Sequence, residues 1–233
     1  MAKVYLETYG CTMNQADSDT IRAVLGGLGH SVACPVSSVQ CPEDVDVIII
    51  NTCTVKGPTE NKILERIKKL EALDKKLVIA GCMSANAEKL RRFTDAPIVW
   101  PGAIAKIGDA VEDALCGQTG EYRESGRKDS LPFTYTKPIM RLAIAEGCTG
   151  VCTFCQTKLA RPGLRSMKPA TVLERIKMGV ENGAREIQLT AMDTGAYGLD
   201  IGTDLPALLS CVNDVEGEFL ARVGMINPDH VMR

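Results

Sequence analysis

Three cysteines stand together in Glu146-Gly147-Cys148-Thr149-Gly150-Val151-Cys152-Thr153-Phe154-Cys155, spaced CxxxCxxC, and an apolar run from Pro138 to Ala145 leads into them. Three thiolates can hold three irons of a 4Fe–4S cube. The fourth iron is then open to an exchangeable ligand, unlike the cube of a four-cysteine electron carrier. Gly147 and Gly150 suit a loop that must wrap closely round a cluster, because glycine tolerates positive φ. Phe154, inside the last spacer, can shield the cluster or pack on a bound ring. The competing reading is a zinc knuckle or a structural iron–sulfur site. Zinc usually asks for a fourth nearby Cys or His, whereas the next cysteine here is Cys211, with no histidine between.

The composition sets the frame for this loop. At 233 residues, 45% of them hydrophobic, the chain can bury a core and form one large or two small domains. Ten cysteines in a chain whose start, Met1-Ala2-Lys3-Val4-Tyr5, runs straight into a strand pattern predict metal or redox chemistry in a reducing, cytoplasmic setting. No apolar run reaches membrane-spanning length, so no membrane partner is expected. The net charge of −2 carries no global nucleic-acid signature. From Lys137 to Arg185, however, nine basic residues (Lys137, Arg141, Lys158, Arg161, Arg165, Lys168, Arg175, Lys177, Arg185) face only Glu146, Glu174 and Glu181. That local excess suits an anionic substrate, or simply a solvated face.

The elements that must position these groups alternate between strand and helix. Lys3 to Thr8, Val45 to Ile50, Leu77 to Ala80 and Pro97 to Trp100 read as strands. Helices are expected after each of the first, second and fourth. The first begins in the acid- and hydroxyl-rich stretch Asn14 to Asp19 and carries Ile21, Val24, Leu25 and Leu28 on one face. A βαβα pattern predicts a parallel sheet with flanking helices. Cys11, Cys53 and Cys82 each fall just past the C-terminal end of a strand, the edge where open α/β sheets bind ligands. Three distant loops would thus bring three thiolates to a second cluster. The plain alternative is three small buried residues. Cys34, Cys41 and Cys116 lack that position and read as ordinary buried or loop cysteines. Residues 118–136 read as a linker between a domain at 1–117 and a second at 137–233. In the second, strands at Ile139 to Ala145, Glu186 to Thr190 and Phe219 to Ile226 alternate with helices from Pro169 and Pro206, as in a (β/α) barrel. Three strands cannot close a barrel, so a C-terminally truncated sequence is expected. The predicted fold class is α/β: a parallel-sheet domain followed by an incomplete barrel.

Taken in order, Tyr9-Gly10-Cys11-Thr12-Met13-Asn14, Asn51-Thr52-Cys53-Thr54-Val55-Lys56, Ala80-Gly81-Cys82-Met83, the CxxxCxxC loop and Asp193-Thr194-Gly195-Ala196-Tyr197-Gly198 resemble the radical S-adenosylmethionine (SAM) methylthiotransferase family. Cys53 to Lys62, Thr157 to Arg161 and Val223 to Pro228 favour its archaeal and eukaryotic branch. That branch modifies N6-threonylcarbamoyladenosine beside the tRNA anticodon, placing a methylthio group on carbon 2. The resemblance implies two 4Fe–4S clusters, one on Cys148, Cys152 and Cys155 and an auxiliary one on Cys11, Cys53 and Cys82. It implies reductive cleavage of SAM to a radical that takes hydrogen from the adenine, and a second SAM as methyl donor. Its partners would be tRNA, a reduced flavodoxin- or ferredoxin-type electron donor and a sulfur source. Phe154 and Asp193 would contact SAM. Two positions depart from the family pattern. Met192 stands where Gln or Glu is common, and Pro162 separates Arg161 from Gly163. Methylthiolation of a ribosomal-protein aspartate, a non-catalytic iron–sulfur role, or an inactive fragment of such an enzyme are the alternatives.

Overall fold

Strands buried on both faces need apolar side chains at every position, and Val47-Ile48-Ile49-Ile50 supplies them. In the computed structural model, which describes residues 1–34, 44–55, 57–123 and 126–231, this stretch lies at the centre of a parallel sheet. The chain divides into two compact units. The first comprises Met1–Thr134 and Phe154–Ala160, the second Tyr135–Thr153 and Arg161–Arg233.

The first unit runs β1 (Lys3–Thr8), α1 (Thr12–Gly27), β2 (Ser31–Ala33), β3 (Val47–Thr52), α2 (Gly57–Glu71), β4 (Lys76–Gly81), a 3-10 turn (Cys82–Asn86), α3 (Ala87–Leu90), β5 (Ile98–Val99), a second 3-10 turn (Pro101–Lys106), α4 (Ile107–Leu115) and β6 (Glu121–Tyr122). The sheet order is β2-β1-β3-β4-β5-β6, parallel throughout. Successive side chains go to opposite faces. Val4, Leu6, Val47, Ile49, Val78 and Ala80 pack with Ile21 and Leu25 of α1 and Ile107 and Val111 of α4. Tyr5, Ile48, Ile50, Leu77 and Ile79 pack with Ile63, Ile67 and Leu70 of α2 and Leu90 of α3.

Two short edge strands were not expected. β2 lies beyond β1, and β6 arises inside the stretch read as a linker. The helix α1 also starts earlier than its acids and hydroxyls suggested. Asn14, Asp17, Ser18 and Asp19 lie within it and are buried. Asn14, Asp17 and Ser18 serve contacts with other parts of the chain, and Asp19 pairs with Arg22 of the same helix. At the end of β1, buried Glu7 is gripped by Arg66 of α2, with Nε 3.1 Å from both carboxylate oxygens and Nη2 2.5 Å from Oε1. Tyr9 donates its hydroxyl to the same carboxylate at 3.0 Å. Burial, and then the negative Glu7, push the Tyr9 phenol well above its usual range, so it stays a donor.

The second unit holds β7 (Ile139–Ala143), β8 (Ala145–Glu146), β9 (Arg165–Ser166), α6 (Pro169–Glu181), β10 (Glu186–Thr190), a 3-10 turn (Thr194–Ala196), α7 (Leu205–Asn213), β11 (Leu220–Val223) and α8 (Pro228–Val231). The helix α5 (Thr157–Ala160) falls in the stretch that groups with the first unit. The strands β11, β10 and β7 form a parallel sheet in that order, and β8 pairs antiparallel with β9. Met140, Leu142, Ile187 and Leu189 are buried in alternation, while Arg141 and Gln188 between them are only half-buried. The strand β11 is largely exposed.

Ile49→Ala removes a fully buried side chain at the sheet centre and is expected to cost about 2–5 kcal/mol in urea unfolding. Arg66→Ala leaves Glu7 buried without its guanidinium. It is expected to cost about 3–5 kcal/mol, and a loss below about 1 kcal/mol would show that the pair is not a buried one.

Candidate metal centre

The sheet order reverses direction at β1: β2 lies on one side of it and β3 on the other. In open parallel sheets ligands bind outside the carboxyl ends of the strands at such a switch point. Cys11 follows β1, Cys53 follows β3 and Cys82 follows β4, and these three strands are immediate neighbours.

The local geometry draws the three loops together. Gly10 has φ +114°, and a Cβ placed on it would lie 2.7 Å from the Cβ of Cys53 and 2.8 Å from its Sγ. Only glycine lets the Cys11 loop lie this close to Cys53. Asn14, on the first turn of α1, places its Oδ1 at 4.0 Å from the Sγ of Cys11 and 3.6 Å from the Sγ of Cys82. Its Nδ2 donates to the carbonyl oxygens of Tyr9 at 2.9 Å and Thr52 at 2.5 Å. Cys53 and Cys82 are buried, and Cys11 is half-buried. The N-terminus of α1, capped by Cys11, brings the positive end of a helix dipole to these loops, which favours an anionic occupant.

The donor set fits an iron–sulfur cluster. Among the described residues no three of His, Cys, Asp and Glu are grouped so as to hold one metal ion. A cubane asks something different, because each thiolate takes a separate iron at a separate corner. Two buried polar atoms near the cysteines in sequence, Asn51 Oδ1 and Ser84 Oγ, have no hydrogen-bond partner among the described residues. Such orphans are uncommon in protein interiors and mark places where another group completes the bonding. The remaining cysteines look different. Cys34 packs against the sheet, and burial raises its thiol pKa, which keeps it protonated. Cys116 and Cys211 are exposed and stand elsewhere in the chain. Cys41 and Lys56 lie outside the described residues.

In the CxxxCxxC loop, the Gly150 amide donates to the Sγ of Cys148 at 3.2 Å, and a Cβ built on Gly150 would lie 3.9 Å from the Sγ of Cys152. The entry to this loop is fixed. Gly147 has φ +76°, and a Cβ there would sit 1.6 Å from the carbonyl oxygen of Gly163. Glu146, just before it, forms a buried ion pair with Arg161. Pro162 thus leads into the residue, Gly163, whose carbonyl crosses Gly147. Cys155 is half-buried and groups with the first unit, as does Phe154, whose side chain is 84% exposed and free to stack on a planar ligand.

Asp193 is buried, and the chain's own groups surround its carboxylate. Oδ1 accepts from the amides of Gly195 and Asn227, each at 3.1 Å, and Oδ2 lies 2.8 Å from Nδ1 of His230. The rest of this motif is also knitted inward. Tyr197 donates to the carbonyl of Met167 at 2.7 Å, and the Gly198 amide donates to Ser166 Oγ at 2.9 Å. Burial, then Asp200, pushes the Tyr197 phenol up to about 12. Met192 is half-buried. The basic run divides in the same manner. Arg161 and Arg175 are buried, while Lys168, Lys177 and Arg185 are exposed and can meet an anionic ligand.

Sequence reasoning had passed over Asn14 as part of a helix start. The signal was there: a polar amide three residues after Cys11, on the first helical turn. Nothing comparable announced the His230–Asp193 contact, which joins residues far apart in the chain.

Residues 3–99 match the model of a family described as "Uncharacterized protein family UPF0004". The chain is 39% identical over 240 residues to a probable threonylcarbamoyladenosine tRNA methylthiotransferase of Pyrococcus horikoshii, covering 100% of this chain and 55% of the relative. It is 42% identical to the Archaeoglobus fulgidus protein of the same name, with 99% and 54% covered. To the Danio rerio threonylcarbamoyladenosine tRNA methylthiotransferase it is 32% identical, with 100% and 43% covered. The chain therefore spans about half the length of the curated relatives it matches. Among solved structures it is similar to a radical S-adenosylmethionine methyltransferase from Kitasatospora setae with tryptophan substrate and a SAM analogue bound. The TM-score is 0.56 and the identity 14%, with 86% of this chain and 49% of that one covered. The same enzyme with cobalamin and a [4Fe-4S] cluster bound gives 0.53. At this identity the likeness speaks to fold alone, and it supports the α/β architecture. Along its whole length, the chain is thus similar to archaeal and eukaryotic threonylcarbamoyladenosine tRNA methylthiotransferases.

Proposed function

We propose that this chain acts in tRNA modification, as part of an enzyme that uses SAM to place a methylthio group on carbon 2 of N6-threonylcarbamoyladenosine. The observation that carries the reading is the meeting of the Cys11, Cys53 and Cys82 loops around Asn14, in a chain that also holds CxxxCxxC. Cys148, Cys152 and Cys155 would ligate one 4Fe–4S cluster, and Cys11, Cys53 and Cys82 an auxiliary one. When bound, the clusters and SAM supply the electron, the radical chemistry, the sulfur and the methyl group, and the protein positions them.

The chain's own residues have definable parts in this. The Glu146–Arg161 pair and the Gly147–Gly163 crossing hold the start of the CxxxCxxC loop. Phe154 offers an exposed ring to SAM or to a base. Asp193 serves SAM by shaping the 193–198 loop, since its oxygens are engaged within the chain. Lys168, Lys177 and Arg185 are available to phosphates of tRNA. A reduced flavodoxin or ferredoxin would deliver electrons, and a separate donor the sulfur. Thiolate ligands and a tRNA substrate would suit a reducing, cytoplasmic setting. No helix among the described residues is long and apolar enough to cross a membrane.

Anaerobic reconstitution followed by iron and sulfide counting tests the cluster assignment. About eight irons per chain are expected, falling to about four in Cys148→Ala/Cys152→Ala/Cys155→Ala and to about four in Cys11→Ala/Cys53→Ala/Cys82→Ala. Four irons at the start and none after the first triple substitution would remove the auxiliary site, and zinc in place of iron would overturn the mechanism. A second measurement separates the roles. With SAM and a reductant, 5′-deoxyadenosine should form in the Cys11→Ala/Cys53→Ala/Cys82→Ala chain and disappear in the other triple variant. No 5′-deoxyadenosine from the reduced, full-length enzyme would favour a non-catalytic iron–sulfur role.

A further inference from the structure

We propose that Asn14 is a positioning residue that sets the three cysteine loops in register before iron arrives. The inference rests on the reading of Cys11, Cys53 and Cys82 as ligands of one cluster. One fully buried side chain, that of Asn14, has a polar contact with each of the three loops. Its two N–H groups are spent on the backbone carbonyls of Tyr9 and Thr52, at 2.9 and 2.5 Å, which are the loops leading to Cys11 and Cys53. Both partners are pure acceptors, so the orientation of the amide is fixed, and its oxygen must face the Sγ atoms of Cys11 and Cys82. In the iron-free chain both thiols can donate to it. Asn14 is itself held, because its carbonyl oxygen accepts from Nδ2 of Asn51 at 2.8 Å. The same Nδ2 bonds Ser18 at 2.8 Å, and Ser18 meets Thr8 at 2.7 Å. The pin thus stands on α1 and is braced against β1 and β3.

The chemistry explains the choice of residue. A short neutral side chain with two donors and one acceptor on a single plane is needed, and only asparagine supplies it at this reach. A carboxylate would set oxygen against the Tyr9 and Thr52 carbonyls and bring negative charge to a site built for thiolates. An alanine would leave two buried carbonyls without their donor. A site held on a rigid helix and braced by neighbouring hydrogen bonds keeps its geometry better than one left to loops.

The test compares Asn14→Asp and Asn14→Ala with the unsubstituted chain after anaerobic reconstitution, by iron content, circular dichroism and cobalt(II) titration. Asn14→Asp is nearly isosteric, so it separates hydrogen bonding from packing. Asn14→Ala avoids the oxygen–oxygen repulsion and keeps the test open if Asn14→Asp does not fold. We expect folded circular dichroism with iron falling from about eight to about four, the residual four lost on adding Cys148→Ala/Cys152→Ala/Cys155→Ala. In that triple background, where no radical cluster can form, cobalt(II) thiolate absorption should require at least about tenfold more metal in either Asn14 variant (about 1.4 kcal/mol). Full iron and unchanged cobalt binding in a folded Asn14 variant would overturn the inference. If the unsubstituted chain loses no iron on Cys11→Ala/Cys53→Ala/Cys82→Ala, the two-cluster reading falls and this inference with it. If it does lose that iron and the Asn14 variants keep theirs, only the role of Asn14 falls.

Discussion

The parallel pairing of β1 with β3 and of β3 with β4 is the constraint on which the candidate centre depends. Parallel strands all end on the same edge, so the residue after each strand arrives at the same place however far apart the strands are in sequence. Cys11, Cys53 and Cys82 are brought together in this way. The pairing is held by the side chains of Val47 to Ile50, which are buried on both faces, and by helices that cover each face. At about 1.5–3 kcal/mol for each large apolar side chain buried, this core is what makes room for costly polar groups at the edge. Asn14, Asn51, Ser18 and Glu7 are all buried there.

These polar groups make the site specific as well as stable. A buried amide or carboxylate is tolerated only if its bonds are made. Glu7 is answered by Arg66 and Tyr9, and Asn14 by two carbonyls and two thiols. Asn51 Oδ1 and Ser84 Oγ, each two residues from a candidate ligand, have no partner among the described residues. The bonds of Glu7 and Asn14 are thus made within the chain, while Asn51 Oδ1 and Ser84 Oγ, near the cysteines in sequence, are open to a further group. The CxxxCxxC loop follows a second design, in which a buried ion pair and a glycine crossing fix its entrance while Val151 and Phe154 stay exposed.

Much of this was legible in the sequence. Strands β1 and β10 have the expected limits, because each is a clear run of strand formers closed by a turn. Helices α1, α2 and α4 were visible from their 3.6-residue period, and α6 and α7 from the prolines near their starts. The strands β2 and β6 were not, since three and two residues are too few to show a period and sheet pairing alone defines them. The position of the three cysteines past strand ends was readable, but not the amide that links them. A lone Asn carries no period, and its role depends on which loops the fold brings near it. The basic run was misleading in part for the same reason. Arg161 and Arg175 count as charges in sequence yet are buried in the fold. Asp193 stood out through its motif, while the groups that surround it, from Gly195 to His230, became visible only in three dimensions.

The most direct test of the convergence of Cys11, Cys53 and Cys82 is electron paramagnetic resonance of the reduced Cys148→Ala/Cys152→Ala/Cys155→Ala chain, in which only the auxiliary site can hold a cluster. A reduced 4Fe–4S signal is predicted, lost when any one of Cys11, Cys53 or Cys82 is also changed to alanine. No signal in the triple variant, or a signal that survives all three further substitutions, would contradict the account.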